Sequence, residues 1–181
     1  MNKNEIKILE VLKCLKEEHG VFEIRAEFEA EGSRMDEMMR LKDVTLASGL
    51  PVILKIGGVE AVTDIYNGLI LGVKGIIAPM AETAFAVSKF TNIIQEVVPA
   101  DNREDIEFAI NIETITAHNN LIEILAVENL SNIHGVTVGR VDFCGSMGKD
   151  RKFANSDEML GLCRHIFTES RKKGLMCGLG G

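Results

Sequence analysis

Two hydrophobic periods alternate along the chain. Short runs at residues 21–29, 51–57, 75–80, 108–114, 135–143 and 174–179 are either continuously apolar or alternate apolar with polar, and they predict strands. Between them the period lengthens to that of a helix. Residues 4–19 place Ile8, Leu12 and Leu15 on one face, and Gly20 ends the run. Ser33 is placed to cap a helix reaching Ser48, with Asp36 at the third position, before Gly49 stops it and Pro51 opens the next strand. Residues 59–71, 82–98 and 116–127 read as further helices. Ser156 caps the last one, with Asp157 and Glu158 in its first turn and Arg171, Lys172 and Lys173 in its last.

Strand and helix in strict alternation, with short connections, predict parallel strands joined by right-handed crossovers in a single domain, residues 1–181. Either a doubly wound open sheet or a (β/α)8 TIM-type barrel would satisfy the pattern. No GxGxxG follows the first strand and no phosphate-binding loop occurs, which disfavours a nucleotide-binding open sheet. The near-equal units favour the barrel. A barrel of this type typically runs to about 250 residues. Only six strand runs are present here, so the expectation is a barrel truncated to about six βα units.

Composition narrows the classes. The chain is 46% hydrophobic and 26% charged, as in globular proteins, and its net charge of −7 argues against a nucleic-acid partner. Residues 1–10 are charged and do not resemble a signal peptide, and Lys74 interrupts the richest apolar stretch, residues 69–80. A cytoplasmic protein with no membrane association is expected. Cys14, Cys144, Cys163 and Cys177 lack CxxC spacing and are expected to be reduced and buried. The four histidines show no metal-ligand spacing.

Side-chain parity locates the chemistry. In the first strand Phe22, Ile24, Ala26 and Phe28 share one face, and Glu23, Arg25, Glu27 and Glu29 the other. The fourth strand sets Asn111 and Glu113 opposite Phe108, Ile110 and Ile112, and the second sets Lys55 opposite Leu54 and Ile56. Charges directed into a barrel need partners or a metal. Glu27, Glu29, Lys55, Glu113 and Asp142 all fall towards C-terminal strand ends, the face where barrel enzymes build their sites. Two readings stay open at this point: an internal ion-pair network, with Arg25 and Lys55 neutralising the glutamates, or carboxylates converging on a hard cation.

Four segments carry a family resemblance. Asn111-Ile112-Glu113-Thr114, the run at 120–127, Gly139-Arg140-Val141-Asp142-Phe143 with Ser146-Met147-Gly148, and the upstream run at 75–84 resemble the HpcH/HpaI aldolase and citrate lyase family. The resemblance implies a (β/α)8 barrel that makes or breaks a carbon–carbon bond next to a carbonyl, acting on a 2-keto acid or an acyl-CoA-type substrate. It implies Glu113 and Asp142 as ligands of Mg²⁺ or Mn²⁺. Gly139 would allow close backbone approach to the substrate, and the main chain around Glu82 and Thr83 would meet a substrate carboxylate.

Three positions depart from the family pattern. Lys55 stands where aldolase members carry an arginine, keeping the charge but not the planar fork. Ala30 stands where a histidine serves as base or proton shuttle, which directs attention to Glu27, Glu29 or Glu31 as substitutes. Arg140 replaces a proline and either grips a carboxylate or phosphate of the substrate or simply pairs with a neighbouring acid. The alternative function is a non-catalytic barrel that binds a small acid or a protein partner. A homo-oligomer is expected under either reading, because exposed strand edges and helix faces call for cover.

Overall fold

The computed structural model describes residues 1–180. Helix α1 (Lys3–His19) precedes β1 (Ile24–Glu27), α2 (Met35–Ser48), β2 (Val52–Lys55), α3 (Val62–Leu71), β3 (Gly75–Ala78) and α4 (Ala84–Val97). There follow the short α5 (Ala100–Arg103), β4 (Glu107–Asn111), α6 (Ile115–Asn119), α7 (Leu121–Ile124), β5 (Gly135–Gly139), α8 (Arg140–Ser146), α9 (Asp157–Lys172) and β6 (Met176–Gly180). The six strands form one sheet in sequential order, β1-β2-β3-β4-β5-β6, and every pairing is parallel. A doubly wound sheet reverses its strand order at a switch point. This sheet advances in one direction and curls, so that Arg25 of β1 and Gly180 of β6 line the same cavity. The fold is therefore an α/β sheet of the TIM-barrel type, with six strands curled into a half-barrel.

The main core lies between the outer face of the sheet and its helices. Leu54, Ile76, Phe108, Ile110 and Val136 point outward from successive strands and are almost wholly buried. Phe108 meets Phe90 of α4 edge-on, with ring centroids 6.4 Å apart at 72°. Burying such a side chain stabilises the fold by about 1.5–3 kcal/mol, which is why the outward residues are aliphatic or aromatic without exception in the central strands. Leu12, Val44 and Leu50 form a smaller cluster that seats α1 on α2.

Local structure departs from the expectations in several places. The strands are shorter than the apolar runs, because their ends bend into loops while keeping apolar character. Arg34, not Ser33, occupies the N-cap of α2 and offers no side-chain cap; Glu37 accepts the Arg34 N–H at 2.9 Å, while Asp36 pairs with the Arg34 guanidinium. The helix expected at 116–127 breaks into α6 and α7 around Asn120, whose side chain donates to the Glu82 carbonyl at 2.8 Å. The strand expected at 135–143 stops at Gly139 and turns at once into α8, so Asp142 lies in a first helical turn and not on a strand. Phe22 is exposed, and so is Cys14, while Cys144 and Cys163 are buried and Cys177 is intermediate. No helix is long and apolar enough to cross a membrane among the described residues.

Candidate active site at the C-terminal strand ends

A cavity of about 380 Å³ opens where the strands end, lined by Arg25, Glu27, Glu31, Lys55, Asn111, Glu113, Thr137, Gly139 and Asp142 among others. Parity explains its charge. The inward positions of β1, β2 and β4 are the ones that alternate with the buried outer-face residues, and register sets Glu27 directly beside Lys55. The two side chains form an ion pair.

Glu113 is the best-held carboxylate of the cavity. It lies two residues beyond β4 and is only 3% exposed. Its Oε1 accepts the Met80 N–H at 3.0 Å and its Oε2 accepts the Asn111 carboxamide at 3.0 Å. Met80 reaches it in the left-handed region, φ 51°, a conformation that among the described residues no other non-glycine adopts. Such a backbone costs on the order of 1 kcal/mol and persists where surrounding contacts enforce it. Here the turn after β3 aims its N–H at the carboxylate. Burial pushes the Glu113 carboxyl above its ordinary range. The Met80 N–H pulls it back, the charge of Asp142 pushes it up further, and Lys55 and Asn111 pull it down.

Gly139 supplies the wall against which Glu113 rests. A Cβ there would lie 2.5 Å from Glu113 Oε2 and 3.0 Å from Glu113 Cβ. Asp142, exposed on α8, faces the same cavity. Asn111 is 6% exposed, and its Oδ1 is buried without a hydrogen-bond partner, leaving an acceptor unused beside the carboxylate. Two carboxylates, an amide oxygen and a missing Cβ make an oxygen-rich cradle that fits a hard divalent cation with room for water or substrate oxygens.

Other expected site residues lie elsewhere. The Glu29 side chain rests against Gly57, where a Cβ would come within 2.6 Å of Glu29 Cγ, and it does not line the cavity. Glu31, two residues on, does. Glu82 accepts the Thr114 hydroxyl at 2.8 Å and braces the loop after Glu113, while Thr83 caps α4 by accepting the Ala86 N–H at 3.1 Å. Neither borders the cavity. Arg140 is directed outward, donating to the Gly180 carbonyl at 3.2 Å and to Asn155 Oδ1 at 3.3 Å. The Met80 N–H went unforeseen, because a backbone group carries no residue-type signal. Thr137 went unforeseen as well, lying inside a run that reads as an ordinary buried strand.

Residues 28–178 match the profile of the HpcH/HpaI aldolase/citrate lyase family. Solved structures share the fold. An HpcH/HpaI aldolase from Desulfitobacterium hafniense DCB-2 superposes with a TM-score of 0.77 at 16% identity, over 99% of this chain and 74% of that one. The citrate synthase SbnG gives a TM-score of 0.77 at 17% identity, covering 96% of this chain and 72% of its own. An HpcH/HpaI aldolase/citrate lyase family protein from Burkholderia cenocepacia J2315 gives 0.74 at 12% identity, over 94% of this chain and 75% of that one. No curated protein matches. With the profile spanning most of its length, this chain belongs to the HpcH/HpaI aldolase/citrate lyase family.

Proposed function

We propose that the chain is a divalent-metal-dependent carbon–carbon lyase of the aldolase/citrate lyase type, acting on a 2-keto acid or an acyl-CoA-type substrate. The observation that carries this reading is the buried Glu113 carboxylate, fixed by Met80 and Asn111 and facing Asp142 across one cavity. A buried anion without a matching cation is costly. Mg²⁺ or Mn²⁺ held by Glu113 and Asp142 would remove that cost and would supply Lewis-acid stabilisation of negative charge developing on a carbonyl oxygen.

The remaining residues divide the work. Lys55, oriented by Glu27, presents a fixed positive charge to a substrate carboxylate or oxyanion. Glu31 makes no polar contact with another described residue and lines the cavity, so it is placed to take up and return a proton where Glu29 is not. Asn111 Oδ1 can orient a water or a substrate hydroxyl. Gly139 keeps the wall thin enough for Glu113 to stay in place.

Thermal melting with and without Mn²⁺ or Mg²⁺ tests the metal site, because an ion that binds only the native state raises the melting temperature. The rise is expected in the wild type and is expected to vanish in Glu113→Gln and Asp142→Asn. A rise of equal size in both variants would refute the site. Turnover is then sought across keto acids and acyl-CoA esters. A second reading, a barrel that binds a small acid without chemistry, draws on the ion pair that already occupies Lys55 and on Ala30, which offers no proton-transferring group. Saturable keto-acid binding with no turnover and no solvent-proton exchange would favour it.

A further inference from the structure

We infer that the last turn of α1 carries a second metal site, distinct from the carboxylate cavity, formed by Cys14, Glu18 and His19 and suited to Zn²⁺ or a similarly borderline-soft ion. One ligand atom from each side chain lies within 4.8 Å of the other two. No other group of three histidine, cysteine, aspartate or glutamate side chains meets that condition among the described residues. In a tetrahedral zinc site, bonds of roughly 2.0–2.3 Å set neighbouring donors about 3.3–3.5 Å apart, so small side-chain rotations close the cluster around an ion.

Helix geometry makes the grouping possible. Cys14 and Glu18 stand four residues apart and therefore share a face. His19 is the final helical residue, and Gly20 turns away in the left-handed conformation at φ 70°. The His19 imidazole comes within the same 4.8 Å of both other ligand atoms. None of the three side chains makes another hydrogen bond or ion pair with a described residue, so no existing interaction has to be broken. The nearby Lys16 ammonium is drawn off to the Ser48 and Gly49 carbonyls, at 3.3 and 2.9 Å. The helix C-terminus itself favours a cation.

The donor set chooses the ion. A thiolate and an imidazole beside one carboxylate suit zinc, whereas Mg²⁺ and Ca²⁺ prefer oxygen alone. Binding releases the thiol proton to solvent, and three protein ligands leave a fourth position for water. α1 ends just before β1 begins, so the site sits at the N-terminal edge of the sheet, away from Glu113 and Asp142. It ties the last turn of α1 together.

Co²⁺, which takes zinc's place and reports thiolate ligation by an absorption band, tests the assignment on the metal-free, reduced protein. The wild type is expected to show the sulfur-to-cobalt band, to bind one ion per chain at this site, and to lose the band when Zn²⁺ is added. Cys14→Ser is expected to abolish the band, and His19→Gln to weaken binding by more than about tenfold. The double variant Glu113→Gln/Asp142→Asn is expected to keep the band, which separates this site from the proposed catalytic one. No band in the wild type, a band that survives Cys14→Ser, or one ion shared between two chains would overturn the inference. All three residues are exposed, so the variants are expected to fold, which circular dichroism verifies.

Discussion

Gly139 and Glu113 touch across neighbouring strands, so closely that a single methyl group at 139 would occupy the place of the Glu113 carboxylate: the added carbon would lie 2.5 Å from Oε2. The backbone at Gly139, φ −89° and ψ 94°, is one that alanine adopts freely. The effect of Gly139→Ala is therefore steric, and it falls on the carboxylate. The variant is expected to lose about 1–3 kcal/mol of stability by overpacking. It is also expected to lose the Mn²⁺-dependent rise in melting temperature while keeping its far-ultraviolet circular dichroism.

The same carboxylate sets a trade between stability and metal binding. Burial raises the Glu113 pKa in the folded state. In the window between the unfolded and folded values the unfolded chain has already released its proton and the folded chain has not. Stability contributed by this group is thus complete below the ordinary carboxylate value and is lost as pH rises through the folded one. Glu113→Gln removes the penalty and can retain the hydrogen bond from Met80. The metal-free variant is expected to melt higher than metal-free wild type at pH 7.5, with the difference shrinking towards pH 4. Equal melting temperatures at pH 7.5 would show that burial of this carboxylate carries no net cost.

Much of this was legible in the chain. The six parallel strands and their inward charges follow from period and parity, whereas Glu113 and Asp142 are singled out by the family resemblance, and both line one cavity. What escaped did so for local reasons. Val141 and Phe143 keep the run from 135 to 143 rich in apolar residues, so it reads as one strand, although they fall out of phase with Val136 and Val138 and the chain enters α8 with no side-chain cap to announce it. Parity sets Glu27 and Lys55 on the same face of the sheet, but only the register of β1 against β2 makes them partners. Glu29 and Glu31 share parity as well, and a turn after β1 sends one to Gly57 and the other to the cavity.

Phe108 and Phe85 carry the same side chain into opposite surroundings. Phe108 is 1% exposed and Phe85 is 75% exposed. Phe108→Ala removes the edge-on partner of Phe90 and leaves a cavity under β4. It is expected to cost about 3–5 kcal/mol in denaturant unfolding. Phe85→Ala, at the start of α4, is expected to stay within about 0.5 kcal/mol of wild type. Similar losses in both would contradict the outward-facing core described for this sheet.

His118 gives the fold a sensitivity to mild acid. Its ring lies on α6, edge-on to Phe143 with centroids 6.2 Å apart, and its Nε2 is 3.1 Å from Nδ1 of His165 on α9. Burial lowers the His118 pKa, the adjacent Asn119 works against the shift, and the charge of His165 adds to it. A histidine with a lowered folded pKa binds its proton first in the unfolded chain. Its stability contribution is present above the ordinary histidine value and falls away as pH drops towards the folded one. Between pH 7.5 and 5.5 the wild type is therefore expected to lose melting temperature relative to His118→Gln, which cannot be protonated there. Glu113 titrates in the opposite sense but is common to both proteins, so its contribution cancels, and the difference between the two curves reads His118 together with its contact to His165. Parallel curves across that range would show that the imidazole takes up its proton in the folded state without penalty.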